Sequence, residues 1–230
     1  MTNWNADWIA TYAPYLYFDR NEPFFPVRVG ITVLEASGPS PSTRRTFEFK
    51  DPNLQCIIEY AIYWDYDIQH LYELEHVWVY VGRGSEVLDC DASFHGTHFK
   101  GLLRDRGNLV DGTHVKLYSQ PGKHAFMPQA DMFYLLPDLM VATDETAGRR
   151  GLLVTGPFDG VYSTDDETNR LVERYLKTFR FKPSMEFEEY RIDPALYTTW
   201  PELHKEVPLR IQNCLADIKE ALRKEDSAHA

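Results

Sequence analysis

Five short runs of aromatic and β-branched residues crowd the first 130 positions of this chain, and turn-forming residues separate them. They are Tyr15-Leu-Tyr-Phe18, Val27-Arg-Val-Gly-Ile-Thr-Val-Leu34, Ile57-Ile-Glu-Tyr-Ala-Ile-Tyr-Trp64, Glu75-His-Val-Trp-Val-Tyr-Val81 and His114-Val-Lys-Leu-Tyr118. Such side chains fit a pleated, half-buried surface, and the Gly, Pro, Asn and Asp clusters between them mark turns. Little helical periodicity intervenes, so a parallel sheet with crossover helices is disfavoured and an antiparallel, jelly-roll-like β-sandwich is expected. No Gly-rich fingerprint joins a strand to a helix, which removes phosphate-loop and dinucleotide readings.

Helical signals come late. Thr164 and Glu167 have capping-box spacing, and Leu171, Val172, Tyr175 and Leu176 follow as an apolar stripe. Thr199 is placed to cap a short helix reaching Val207, and Pro208 to begin another whose face carries Ile211, Cys214, Leu215, Ile218 and Leu222. The alternation in 179–190 suggests one more strand between these helices. The whole, residues 1–230, reads as a single β-sandwich domain with a helical C-terminal extension from about 164, and the soft stretch at 144–150 as an exposed loop.

Charge narrows the partners. A formal net charge of −11 opposes phosphate backbones and anionic surfaces, so nucleic acid is not expected. No apolar run approaches the roughly 20 residues of a membrane span. The start, Met-Thr-Asn-Trp-Asn-Ala-Asp-Trp, has no basic-then-apolar signal pattern, from which a cytoplasmic location is expected. The three cysteines, Cys56, Cys90 and Cys214, are scattered and read as small buried hydrophobes.

The chemistry concentrates elsewhere. Six of the eight histidines fall between His70 and His124, beside Asp65, Asp67, Glu73 and Glu75. With a period of two, Glu73 and Glu75 share a face with Val77, Val79 and Val81, where an unpaired carboxylate is costly. A divalent metal is the most economical partner. Asp65, Asp67, His70, Glu73 and Glu75 are the candidate ligands. Oxygen donors favour Ca²⁺, Mg²⁺ or Mn²⁺, and imidazole makes Zn²⁺ or Fe admissible. His98, in His95-Gly-Thr-His98, and His124, after Gln-Pro-Gly-Lys, are candidate acids or bases near neutral pH. Tyr72 and His95 are candidate substrate contacts. Zinc-protease and serine-nucleophile motifs are absent: Tyr72 stands where an inverted His-x-x-Glu-His needs histidine, and Ser119 lies outside a Gly-x-Ser-x-Gly elbow.

The ordered motifs Tyr12-Ala-Pro-Tyr-Leu-Tyr-Phe-Asp-Arg-Asn-Glu-Pro-Phe-Phe-Pro26, Trp64-Asp-Tyr-Asp67, Glu75-His-Val-Trp-Val-Tyr-Val81, Ser93-Phe-His-Gly-Thr-His98 and the run His114 to Pro128 resemble the vacuolar protein sorting protein 62 family. More distantly the chain is similar to the necrosis- and ethylene-inducing-protein-like cytolysins, whose hallmark is Gly-His-Arg-His-Asp-Trp-Glu before a valine-rich strand. That resemblance implies a β-sandwich with a divalent metal at one end of its central strands. It places His70, Glu73 and Glu75 on hallmark positions and Asp65 or Asp67 on the preceding strand's acid. Gln69, Tyr72 and Leu74 depart from the hallmark, so toxin activity does not carry over.

Three functions are compatible with these residues. A metal-dependent hydrolase of unknown substrate leads. The alternative is a non-catalytic module that binds a glycan, lipid head group or other small molecule through a cation, with Trp4, Trp8, Tyr63, Trp64, Tyr66 and Tyr72 available for stacking. The third is a metal-free glycosidase pair at Glu73 and Glu75, about 6.6 Å apart along a strand.

Overall fold

A computed structural model describes residues 5–228. In chain order its elements are α1 (Ala6–Thr11), β1 (Tyr15–Asp19), β2 (Arg28–Leu34), β3 (Gly38–Pro39), β4 (Thr46–Phe47), β5 (Leu54–Tyr66), β6 (His70–Gly82), β7 (Val87–Phe94), β8 (Thr97–Lys100), β9 (Leu109–Val110), β10 (His114–Ser119), β11 (Phe126–Met127), α2 (Leu139–Thr143), β12 (Gly151–Leu152), α3 (Asp166–Leu176), β13 (Phe187–Arg191), β14 (Tyr197–Thr199) and α4 (Trp200–Ala228). All five sequence runs are strands.

The architecture is a β-sandwich. One sheet has the order β14-β2-β5-β6-β7-β8, with β12 beside β6, and the other the order β11-β10-β1-β13, with β9 beside β10. The neighbouring strands of β5, β6 and β7 are antiparallel, as expected, whereas β1–β10, β12–β6 and β14–β2 are parallel. Period-two geometry sorts the side chains. Tyr60, Ile58 and Cys56 lie opposite Val77, Val79 and Val81, and all six enter one core with Leu16, Phe18, Leu117 and Phe126 of the facing sheet. Trp64 spans the two sheets, its ring centroid 6.2 Å from Phe126 and 6.4 Å from Phe18. Cys56, Cys90 and Cys214 are buried free thiols.

The outer face of the larger sheet is covered in two ways. Trp78 and Ile57 pack with Phe47 of the β3–β4 arm. The buried Glu59 carboxylate pins that arm by accepting from Ser40 Oγ at 2.6 Å, Ser42 Oγ at 2.5 Å and Trp78 Nε1 at 2.7 Å. The rest of the face receives α4, whose stripe Leu203, Val207, Ile211, Cys214, Ile218 and Leu222 is buried. Gly30 permits the close approach, since a Cβ there would lie 2.9 Å from Leu203 Cδ2.

Three local expectations shift. A break at Pro208 does not occur: α4 runs through it. The stripe stays in phase on both sides of the proline, and burial of those apolar residues outweighs a cost of about 3 kcal/mol. Asp165, not Thr164, caps α3 by accepting from Thr168 N at 2.7 Å, while Thr164 Oγ1 donates to Asn169. The late strand covers only Phe187–Arg191, because residues 177–179 form a 3₁₀ turn.

Candidate cation site and cleft

The site forms at one end of the larger sheet, where the β5–β6 turn, the β7–β8 turn and the 120–125 loop meet. Asp67 heads the first turn: its carboxylate accepts from Gln69 N at 2.7 Å and its own N–H donates to His70 O at 3.0 Å. It is fully buried. Lys123 Nζ donates to its two oxygens at 2.9 and 3.1 Å. Burial alone would raise the Asp67 pKa, but His70 and Lys123 together hold it well below the usual carboxylate range.

His70 is also buried, and its Nδ1 lies 2.8 Å from Tyr72 O. A carbonyl only accepts, so Nδ1 carries the proton and Nε2 presents a lone pair. That lone pair faces Lys123 Nζ at 3.4 Å, Asp67 Oδ1 at 3.6 Å and Glu73 Oε2 at 3.6 Å. Burial pushes the imidazole pKa down to about 3 despite the attraction of Asp67, so the ring is neutral.

The second turn repeats the arrangement. His95 Nε2 donates to Gln120 Oε1 at 2.8 Å, leaving Nδ1 unprotonated 3.7 Å from Glu75 Oε1. Glu75 is 2 % exposed, bonded by Ser93 Oγ and by His95 N at 3.2 Å. Burial carries its pKa up to about 7, against the pull of those donors. Burial and then the charge of Glu75 raise Glu73 well above the carboxylate range. Two ligand sets follow, each with donor atoms within 4.8 Å of one another: Asp67, His70 and Glu73, and Glu73, Glu75 and His95. Tyr72 and His95 hold left-handed backbone, φ 50° and 48°, a strain that rigid surroundings must maintain.

His70, Glu73, Glu75 and His95 floor a cleft of about 1160 Å³, with Asp67 and Lys123 buried behind them. Tyr72, Trp78, His98, Trp200 and His204 border it, as do the basic residues Arg44, Arg45, Arg150 and Lys205. The parallel pairing of β12 with β6 brings Arg150 in, its N–H donating to Gln69 O at 2.9 Å.

Asp67, His70, Glu73 and Glu75 are therefore brought together, and Tyr72, His95 and His98 are at the same cleft. Asp65 is not. The strand ends at Tyr66, so period two does not carry to Asp67; Asp65 turns toward α4 and accepts from Arg210 Nε at 2.8 Å and Nη2 at 2.7 Å. Asp65→Asn is expected to leave cation affinity unchanged by calorimetry while lowering stability by about 1–2 kcal/mol, the scale of a lost charged hydrogen bond. His124 is not an acid or base of the cleft either. It is fully buried, stacked on Trp64 at 4.7 Å and 6°, with Nε2 3.2 Å from Glu22 Oε1. Of the aromatics proposed for stacking, Tyr63, Trp64 and Tyr72 are core, Tyr72 only edging the cleft, Trp8 and Tyr66 pack against that core, and Trp4 lies outside the described residues. The nearest Glu73 and Glu75 oxygens are within 4.8 Å, closer than the roughly 6.5–9.5 Å of an inverting pair. Sequence reasoning missed Lys123, Ser93, Gln120 and Arg150; for Lys123 the available signal was a lysine inside a Pro-Gly turn among candidate ligands.

The charges imply a pH signature. The folded value of Glu75, about 7, lies above the ordinary 4.5, so the folded chain holds the extra proton and stability falls as pH rises through that window. His70 at about 3 and His76 at about 4 act oppositely, since burial keeps them neutral and stability rises toward pH 6.5. The trends oppose each other up to pH 6.5, and above it only the carboxylates contribute. Denaturant midpoints of the cation-free protein should therefore fall between pH 6.5 and 8, and saturating divalent cation should remove the fall.

Neither a family model nor a curated protein matches the chain. Among solved structures, necrosis and ethylene inducing protein 2 from the causal agent of cocoa's witches' broom disease is similar over 52 % of this chain and 67 % of its own, at 19 % identity and a TM-score of 0.34. NLPPya in complex with glucosamine matches 55 % of this chain and 68 % of its own, at 16 % identity and a TM-score of 0.36. NLPPya in complex with mannosamine matches the same shares at 17 % identity and a TM-score of 0.35. These likenesses fall on the second of the two resemblances read in the sequence and not on the vacuolar protein sorting protein 62 family.

Proposed function

We propose that this chain is a cation-dependent binding module: a β-sandwich that holds one divalent ion at the sheet end and uses the adjoining cleft for a polyhydroxylated ligand, a glycan or a lipid head group. The observation that carries the reading is the imidazole of His95, whose unprotonated nitrogen is turned toward Glu75 beside Glu73, with no side-chain cation of the described residues between them as Lys123 stands between His70 and Asp67. Acceptor facing acceptor is unfavourable unless a cation or a proton lies between them. Mixed carboxylate and imidazole donors suit Mn²⁺ well, Ca²⁺ and Mg²⁺ through oxygen alone, and Zn²⁺ or Fe through nitrogen. A bound ion supplies a charge that ligand hydroxyls or anionic oxygens approach directly. Tyr72, Trp78 and Trp200 are buried and reach the cleft only by their edges, so recognition there rests on the bound ion and on donors such as Arg44 and Arg150.

Elemental analysis before and after chelation, followed by a binding screen of neutral, amino and phosphorylated sugars with and without ion, tests the proposal. Binding that disappears on chelation supports it; a protein that takes up no divalent ion sinks it. A hydrolytic reading draws on one further feature, the Glu75 pKa of about 7, which suits a proton acceptor at neutral pH. Turnover of phosphodiester and ester substrates in the presence of Mn²⁺ would favour that reading over binding alone.

A further inference from the structure

Lys123 is an unusual residue to find where it is. Only 5 % exposed, it reaches both oxygens of Asp67 and approaches the His70 lone pair at 3.4 Å. Its loop is built to put it there. Gly122 and His124, on either side, both take left-handed backbone, φ 68° and 62°. A Cβ on Gly122 would lie 2.7 Å from Ile68, so the turn is pressed against the β5–β6 connection, and Ile68 N donates to Gly122 O at 2.8 Å. Glu22 locks it from behind, accepting from Gly122 N at 2.6 Å and bonding His124 Nε2. A buried lysine costs a great deal to desolvate unless its charge is answered, and here a carboxylate and an imidazole nitrogen answer it in the positions that would otherwise ligate a metal.

Resting on the cation-binding reading, we infer that Lys123 is a tethered cation that fills the Asp67–His70 half of the cluster, restricts the protein to a single divalent ion, and assigns that ion to Glu73, Glu75 and His95. The five acidic and imidazole groups then form two half-sites sharing Glu73, one served by the chain's own ammonium and the other by solute metal. A rigid +1 charge beside the ion also repels a second dication from the first half-site.

The test is Mn²⁺ stoichiometry, read by calorimetry and native mass spectrometry. Wild type should bind one Mn²⁺, and Lys123→Ala, which frees the space and the ligands, should bind two. If Lys123→Ala folds only when Mn²⁺ is present, the inference is equally supported, because a metal has replaced the ammonium. A Lys123→Ala protein that folds without metal and still binds one Mn²⁺ at unchanged affinity overturns it, as does one that stays unfolded at saturating Mn²⁺. Asp67→Asn/Lys123→Met, which removes both charges together, should fold and retain one Mn²⁺ with affinity within about threefold of wild type; loss of that ion would make Asp67 a ligand and overturn the assignment. No ion in wild type but one in Lys123→Ala would sink the proposed function while upholding the role of Lys123. No ion in either would end both.

Discussion

Glu75→Gln is expected to lower divalent-cation affinity by about 10- to 100-fold, the scale of a lost charged ligand or damaged ligand support, while making the fold more stable. The two effects have one cause. The side chain keeps its volume and one oxygen, which can still accept from His95 N while the new amide NH2 donates to Ser93 Oγ, but loses a charge that burial makes expensive at neutral pH. In the cation-free protein at pH 8 that charge opposes folding, so its removal raises stability by about 1–3 kcal/mol. A purely structural carboxylate would behave otherwise, since its loss would leave donors unpaired and the protein weaker. Calorimetric titration and urea melts of the same preparation at pH 8 separate the alternatives. Unchanged affinity would overturn the cation reading of this cluster.

The strands that deliver Glu75 were legible in sequence because strand formation here is written locally. Runs such as Glu75 to Val81 carry their alternation and their β-branched side chains within a few residues, and the register with β5 follows from which face is apolar. Proximity in sequence also made Glu73, Glu75 and His70 readable as one group. What failed depended on contacts made at a distance. Asp65 reads as a ligand because it lies close in sequence to Asp67 and His70, but its partner is Arg210 on a helix 145 residues away, and a strand pattern contains no information on what covers it. Pro208 reads as a stop by propensity alone, whereas the helix persists because its stripe lies on β2 and β5. Lys123 went unread because a lysine is ordinarily solvated, and only the backbone of its loop shows that it is turned inward.

His124→Ala should separate architecture from binding in the opposite sense to Glu75→Gln. The imidazole is buried, pairs with the nearly buried Glu22 at 3.2 Å and lies flat on Trp64, the residue that joins the two sheets. Truncation leaves a cavity against Trp64 and a carboxylate with one partner fewer, and either loss alone is worth about 2–5 kcal/mol. Alanine at φ 62° bears much the same left-handed backbone cost that histidine bears now, so the loss comes from the missing ring. A loss of about 3–5 kcal/mol is expected, a large share of the roughly 5–15 kcal/mol that keeps a domain folded, so the thermal midpoint should fall by many degrees. Affinity for Mn²⁺, measured where the variant is still folded, should stay within about threefold of wild type, because no atom of His124 belongs to either ligand set. A variant that melts like wild type but no longer binds Mn²⁺ would return His124 to the site and show that the 120–125 loop carries a ligand as well as a counter-charge.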